Sequence, residues 1–233
     1  MDEIMVHLEA VTKKYKETLA VNNCNLKLRK GKIYGLAGKN GAGKTTTMRM
    51  IAGLSIPTAG TITLLSQKMG ILIESPSLNG CMTANENLNF YRMLCKEKND
   101  AFSNEELLEL VGLTDTKRKK SKDFSLGMRQ RLGIAIALLG KPDFIMLDEP
   151  VNGLDPVGVV EIRNLIKKLN KEYQMTVLVS SHNLQELYET ATDYIIMDKG
   201  VVKKELTQEQ LDKENHKSLE EYFLSVIEQE EQR

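Results

Sequence analysis

Strict alternation of apolar and polar positions marks the early part of the chain. Cys24, Leu26 and Leu28 alternate with Asn23, Asn25, Lys27 and Arg29, the pattern of a strand with one buried face. The run from Ile33 to Ala37 then leads into a glycine-rich loop and a helix expected to end near Gly53. Leu54 to Gly60, interrupted by Pro57, is turn punctuation, and Thr61 to Leu65 reads as another short strand. From about Asn85 to Leu139 the spacing becomes helical. Ser103 and Glu106 form an S-x-x-E capping box ahead of Leu107, Leu108 and Val111. Phe144 to Leu147 is apolar at every position, as a parallel strand covered on both faces should be. Asp155 and Pro156 predict an N-cap followed by proline in the first turn, with Val159, Ile162, Ile166 and Leu169 at helical spacing behind them. Met175 to Val179 and Tyr194 to Met197 are two further buried strands, the second ending at a Lys199-Gly200 turn. The charged end from Leu219 to Arg233 predicts one amphipathic helix with a frayed tail.

This order of strand, loop, helix, strand, helix and strand predicts an α/β fold with a largely parallel sheet. The helical stretch from Asn85 to Leu139 interrupts it as an inserted subdomain. The 233 residues are enough for one large domain or two small lobes sharing a core. No window approaches the roughly 18 to 20 apolar residues that cross a bilayer, and Asp2, Glu3 and His7 break any secretory signal at the start. Lys plus Arg and Asp plus Glu number 32 each, which argues against a dedicated nucleic-acid binder. Cys24, Cys81 and Cys95 lie far apart, without a CxxC pair, and read as reduced thiols. The run from Lys117 to Lys120 is expected to be a solvated loop, and His7 and His216 surface residues.

The chemistry begins at Gly38-Lys39-Asn40-Gly41-Ala42-Gly43-Lys44-Thr45, which fits G-x-x-x-x-G-K-[ST] in full. Glycines let the backbone curl so that successive N–H groups point at phosphate oxygens, and the following helix adds its positive end, beginning at Lys44, Thr45 and Thr46. Lys44 is placed to neutralise the β- and γ-phosphates of a bound nucleotide, and the Thr45 hydroxyl can ligate Mg²⁺. Much further along, the apolar run from Phe144 ends in Asp148 and Glu149. At the C-terminal end of a buried parallel strand, Asp148 is placed to hold the metal and Glu149 to polarise a water.

Four further motifs decide among P-loop families. No Asn-Lys-x-Asp guanine reader is present, which excludes a GTPase. Phe124-Ser125-Leu126-Gly127-Met128-Arg129-Gln130-Arg131 resembles the signature motif of ABC ATPases in its Ser-x-Gly-Met form. Gly153-Leu154-Asp155 is similar to the D-loop, His182 to the switch histidine, and Tyr15 to the aromatic under adenine. The resemblance spans about residues 3 to 205. It implies a P-loop (RecA-like) core with a mainly parallel sheet, an N-terminal antiparallel β-subdomain and an inserted helical subdomain. Core and β-subdomain would occupy about 1–75 and 139–205, the helical subdomain 76–138 and a helical tail 206–233. It also implies two copies (a homodimer, or a heterodimer with a similar ATPase), each capping the other's nucleotide with Ser125 and Gly127. Integral membrane permease subunits would sit above them, with this chain peripheral on the cytoplasmic face.

Two departures from the family pattern stand out. The signature lacks one glycine, though Ser125 and Gly127 remain. In Ile71-Leu72-Ile73-Glu74-Ser75-Pro76, Glu74 occupies the place of the usual glutamine, where it would join Thr45 and Asp148 about the metal. Glu at that place resembles the ATPases of bacitracin- and lantibiotic-type exporters and immunity transporters. The segment from Leu65 to Met69 is also shorter than the family norm. A non-transport ABC ATPase acting in translation or DNA repair is the competing expectation. One cassette, no sustained heptads and no basic excess favour transport.

Overall fold

A computed structural model describes residues 3–66, 68–95, 102–213 and 218–231. The early alternation becomes a three-stranded antiparallel sheet of β1 (Ile4–Tyr15), β2 (Thr18–Arg29) and, after the phosphate-loop segment, β4 (Ala59–Leu64), with β1 in the middle. Cys24, Leu26 and Leu28 point inward, 0 to 3% exposed, while the polar residues between them face water.

The apolar runs become the centre of a six-stranded sheet. It contains β3 (Ile33–Ala37), β5 (Met69–Leu72), β6 (Phe144–Asp148), β7 (Thr176–Ser181), β8 (Asp193–Asp198) and β9 (Val201–Thr207), in the order β5-β6-β7-β3-β8-β9. Every pair but the last is parallel. All residues of β3, β6 and β7 are buried, because both faces of the sheet are covered. Alternate residues feed two separate cores. Ile33, Ile145, Leu147 and Val177 pack with the helices on one side. Tyr34, Leu36, Phe144 and Met146 pack on the other with β1, β2 and α1 (Lys44–Ile51).

β1, β5 and β9 lie beyond the strands that the pattern marked one by one. β9 folds back through Lys199 and Gly200, both left-handed at φ 45° and 81°, the backbone a two-residue hairpin needs. Its Lys203, Lys204 and Glu205 keep this edge of the sheet charged.

The helical stretch resolves into α2 (Ala84–Cys95), α3 (Asn104–Leu110) and α4 (Leu126–Ala137), with two 3₁₀ turns between α3 and α4. The capping box forms as predicted, Ser103 Oγ accepting from Glu106 N at 3.1 Å and Glu106 returning to Ser103 N at 2.7 Å. Lys117 to Lys119 are exposed and Lys120 pairs with Glu86 at 3.0 Å. α4 lies hard against the chain after β5, where a methyl group on Gly133 would stand 2.6 Å from Pro76 Cβ. α5 (Pro156–Tyr173) starts at the Asp155 cap with proline in its first turn. α6 (Leu184–Thr190), α7 (Gln208–Lys213) and α8 (Leu219–Glu231) complete the chain. His216 and the last residues of the expected frayed tail lie outside the described residues.

Candidate functional site

Three central strands, β3, β6 and β7, end side by side, and the glycine loop, Asp148-Glu149 and Ser181-His182 follow from those ends. This is where an open α/β sheet takes its ligand. Two glycines of the loop have no room for a side chain. A methyl group on Gly38 would lie 2.4 Å from Met197 O, and one on Gly43 2.6 Å from Ala20 O. Gly43 also has φ 103° and Gly41 φ 82°, conformations open to glycine. Lys39 and Asn40 form the exposed crest of the loop, Ala42 is buried beneath it, and Thr46 is half-buried in the first turn of α1.

Inside the loop, Lys44 is 5% exposed. Its Nζ donates to Gly38 O at 2.7 Å and Lys39 O at 3.3 Å, and lies 3.3 Å from Glu149 Oε1. The neighbouring Thr45 Oγ1 donates to Asp148 Oδ2 at 2.8 Å. The other Asp148 oxygen accepts from Ser180 Oγ at 2.5 Å, and Ser180 Oγ in turn accepts from Glu149 N at 2.9 Å. Glu149 completes the set through Oε2, 2.8 Å from His182 Nδ1. Its backbone is left-handed, φ 49°, a conformation of some cost to a non-glycine residue. The cluster is thus two linked chains, Thr45–Asp148–Ser180–Glu149 N and Lys44–Glu149–His182, and in the second the Lys44 ammonium faces the Glu149 carboxylate.

The remaining predicted residues lie elsewhere. Tyr15, at the end of β1, is 43% exposed, and its hydroxyl meets Ser55 Oγ at 3.2 Å. Lys13 Nζ covers the ring at 4.8 Å. Ser125 is the exposed N-cap of α4, accepting from Met128 N at 3.2 Å, with Gly127 behind it against Leu154. Asp155 caps α5 through Gly158 N at 3.2 Å. Glu74 follows β5 with φ 66°, and its carboxylate, 62% exposed, lies 2.5 Å from Arg49 Nη2 of α1. Among the described residues, no three His, Cys, Asp or Glu side chains converge as a metal cage.

Arg49 and Ser180 belong to this neighbourhood although the sequence pattern does not single them out. Ser180 carried one signal, a polar residue directly after the apolar run Val177 to Val179. Its register opposite Asp148 comes from the β6–β7 pairing.

A family model described as ABC transporter matches residues 21–152. The bacitracin transport ATP-binding protein BcrA of Enterococcus faecalis is 43% identical, covering 94% of this chain and 74% of its own length. The lantibiotic transport ATP-binding protein SrtF of Streptococcus pyogenes is 38% identical over 82% of this chain and 85% of its own. Among solved structures, the ATP-binding cassette MJ0796, dimeric in a post-hydrolysis state with ADP and Pi, superposes with a TM-score of 0.77. It is 29% identical, covering 88% of this chain and 99% of that one.

Proposed function

The chain belongs to the ABC transporter family and is an ATP-binding, ATP-hydrolysing subunit, and from that premise we propose that it powers export of, or immunity to, a peptide antibiotic. The bacitracin and lantibiotic transport relatives support this class of cargo. No helix among the described residues is long and apolar enough to cross a membrane. In this reading translocation belongs to separate permease subunits, with this chain at their cytoplasmic face, on the strength of the family resemblance. The working unit is a dimer, of two identical copies or of this chain with a similar ATPase. Core, β-subdomain and helical insertion divide at about residues 75 and 139.

The observation that carries the reading is the set of paired charges around Lys44. In the glycine cradle a polyphosphate finds consecutive N–H groups and the start of α1. Lys44, now shared between Glu149 and two loop carbonyls, is the cation a phosphate would draw away. That exchange leaves Glu149 with its second oxygen on His182, free to accept a proton from water at its other oxygen. His182 orients the carboxylate. Thr45 and Asp148 suit Mg²⁺, being a hydroxyl and a carboxylate already within 2.8 Å of each other. The metal, when bound, supplies charge neutralisation to the phosphate oxygens. The second copy would close the site with Ser125 and Gly127, and Tyr15 would meet the adenine.

Glu74 differs from the usual glutamine in being anionic and acceptor-only. Its pairing with Arg49 supports a role at the edge of the site, where a bound metal would compete with Arg49 for the carboxylate. The function is tested in cells that carry this chain and its own permease. Deleting the chain should lower resistance to bacitracin or to a lantibiotic, with restoration by wild type and not by Lys44→Ala. Unchanged resistance to both classes would remove the assignment of cargo.

A further inference from the structure

Two helices carry the surface motifs that the proposed dimer presents to its partner's nucleotide, α4 capped by Ser125 and α5 capped by Asp155. Their N-terminal ends pack on each other. A methyl group on Gly153 would stand 3.1 Å from Leu126 Cδ2, and one on Gly127 3.7 Å from Leu154 Cδ2. Deeper along both helices, Arg131 Nη1 lies 3.5 Å from Glu161 Oε2. Each of these residues is six beyond its own cap, about 9 Å at 1.5 Å per residue. The ion pair therefore joins the two helices at equal depth.

The same Nη1 reaches the end of α3, donating to Gly112 O at 3.2 Å and Val111 O at 3.4 Å. Carbonyls at a helix C-terminus lack helical partners and carry partial negative charge. Gly112, φ 66°, brings the chain so close that a methyl group there would meet Arg131 Nη1 at 3.0 Å. The arginine is 18% exposed, against 47% for Glu161. Beside it opens a cleft of about 310 Å³, lined by Glu109, Asn164 and Lys168 among others. Packing between α3 and α5 is thus open around the guanidinium that bridges them.

We propose that Arg131 is a positioning residue, fixing the register of α4 against α5 and hence the spacing of Ser125 and Asp155 at the dimer face. The inference rests on the dimeric reading above. Without the guanidinium, the leucine–glycine contact at the helix tips becomes a pivot, and α4 tilts about it. Nucleotide binding to a single copy is untouched, since it depends on the glycine loop. Closure onto a second copy weakens, because it needs both caps in place at once.

The test uses the full chain in a Glu149→Gln background, where ATP is expected to hold the dimer. Arg131→Met should bind a fluorescent ATP analogue within about twofold of the parent, while its ATP-dependent dimerisation in sedimentation velocity falls by roughly tenfold or more. Glu161→Gln should weaken the dimer by a smaller factor, because the carbonyl contacts persist. Combined with Arg131→Met, it should add nothing. Arg131→Lys should restore most of the affinity. Undiminished dimerisation in Arg131→Met overturns the proposal, as does a loss that Arg131→Lys leaves unrepaired. Should Arg131→Met fail to fold by circular dichroism, the half-exposed Glu161→Gln decides, and parental dimer affinity there overturns it. A Glu149→Gln parent that binds ATP yet stays monomeric removes the dimeric reading, and the proposal falls with it.

Discussion

Replacing Glu149 by glutamine should do two opposite things, abolish turnover and tighten ATP binding. The first follows from losing the base, and a decrease of roughly 10²–10⁴-fold is expected for a general base. The second follows from the ion pair. Lys44 Nζ and Glu149 Oε1 are 3.3 Å apart, which at an effective dielectric near 20 is a gross attraction of about 5 kcal/mol. A fifth of the Glu149 side chain is exposed and its other oxygen is held by His182, so solvent screening leaves about a third of that, ~1.5 kcal/mol. ATP must displace this pair to gain Lys44, whereas in Glu149→Gln the lysine is held only by two loop carbonyls. The repulsion between Glu149 and the γ-phosphate disappears as well, with the same sign. ATP affinity should therefore rise about tenfold. The assay is an equilibrium titration with a fluorescent ATP analogue at protein concentrations low enough to keep copies apart. ATP binding in Glu149→Gln equal to or weaker than wild type would refute the argument. Normal turnover in the variant would show that the base lies elsewhere.

Other expectations follow from single contacts. Lys44→Ala should lose Mg-ATP binding and the ATP-dependent dimer together, read by the same titration and by gel filtration. Ser180→Ala, at a wholly buried residue, strips a partner from both Asp148 and Glu149 N. It should lower stability by about 1–3 kcal/mol in chemical denaturation and raise the Mg²⁺ concentration needed for half-maximal ATPase. Glu74→Gln should shift ATP affinity only a few-fold yet impair peptide resistance in cells. Unchanged resistance and an unchanged ATPase rate would leave Glu74 without a role. Burial, with Glu205 nearby, pushes the Cys24 thiol up to about 12. Thiolate is the reactive form, and a raised value delays its appearance to strongly alkaline pH. At pH 8 a thiol reagent should therefore titrate the exposed Cys81 and Cys95 and spare Cys24 until the chain is denatured. Labelling of Cys24 in the native chain would contradict the depth assigned to β2.

Much of the architecture was legible because it rests on local rules. Fully apolar runs of strand length ask for cover on both faces, and β3, β6 and β7 obtain it. The Ser103 and Asp155 caps hold because a short polar side chain meets its own helix a few residues on. The glycine loop was legible for the same reason, since its shape is written in residues that stand next to one another. β9 escaped notice because its charged positions give no apolar run. It becomes a strand by returning through a two-residue turn onto β8.

What the chain order could not reveal is which charges meet. Asp148 and Ser180, or Lys44 and Glu149, are far apart along the chain, and they come together only because β6 pairs with β7 and β3 lies on the other side of β7. The resemblance to the family set Glu74 beside the metal, but nothing along the chain pointed to the neighbour it has in the fold, Arg49, five residues past Lys44 on α1. The equal depth of Arg131 and Glu161 likewise exists only once α4 and α5 are set side by side. Sequence by itself determined the buried central strands, the caps and the phosphate loop, since these depend on neighbours along the chain. Tertiary structure decided the partners of each charge, because Coulomb attraction depends on distance through space and the sheet order sets that distance.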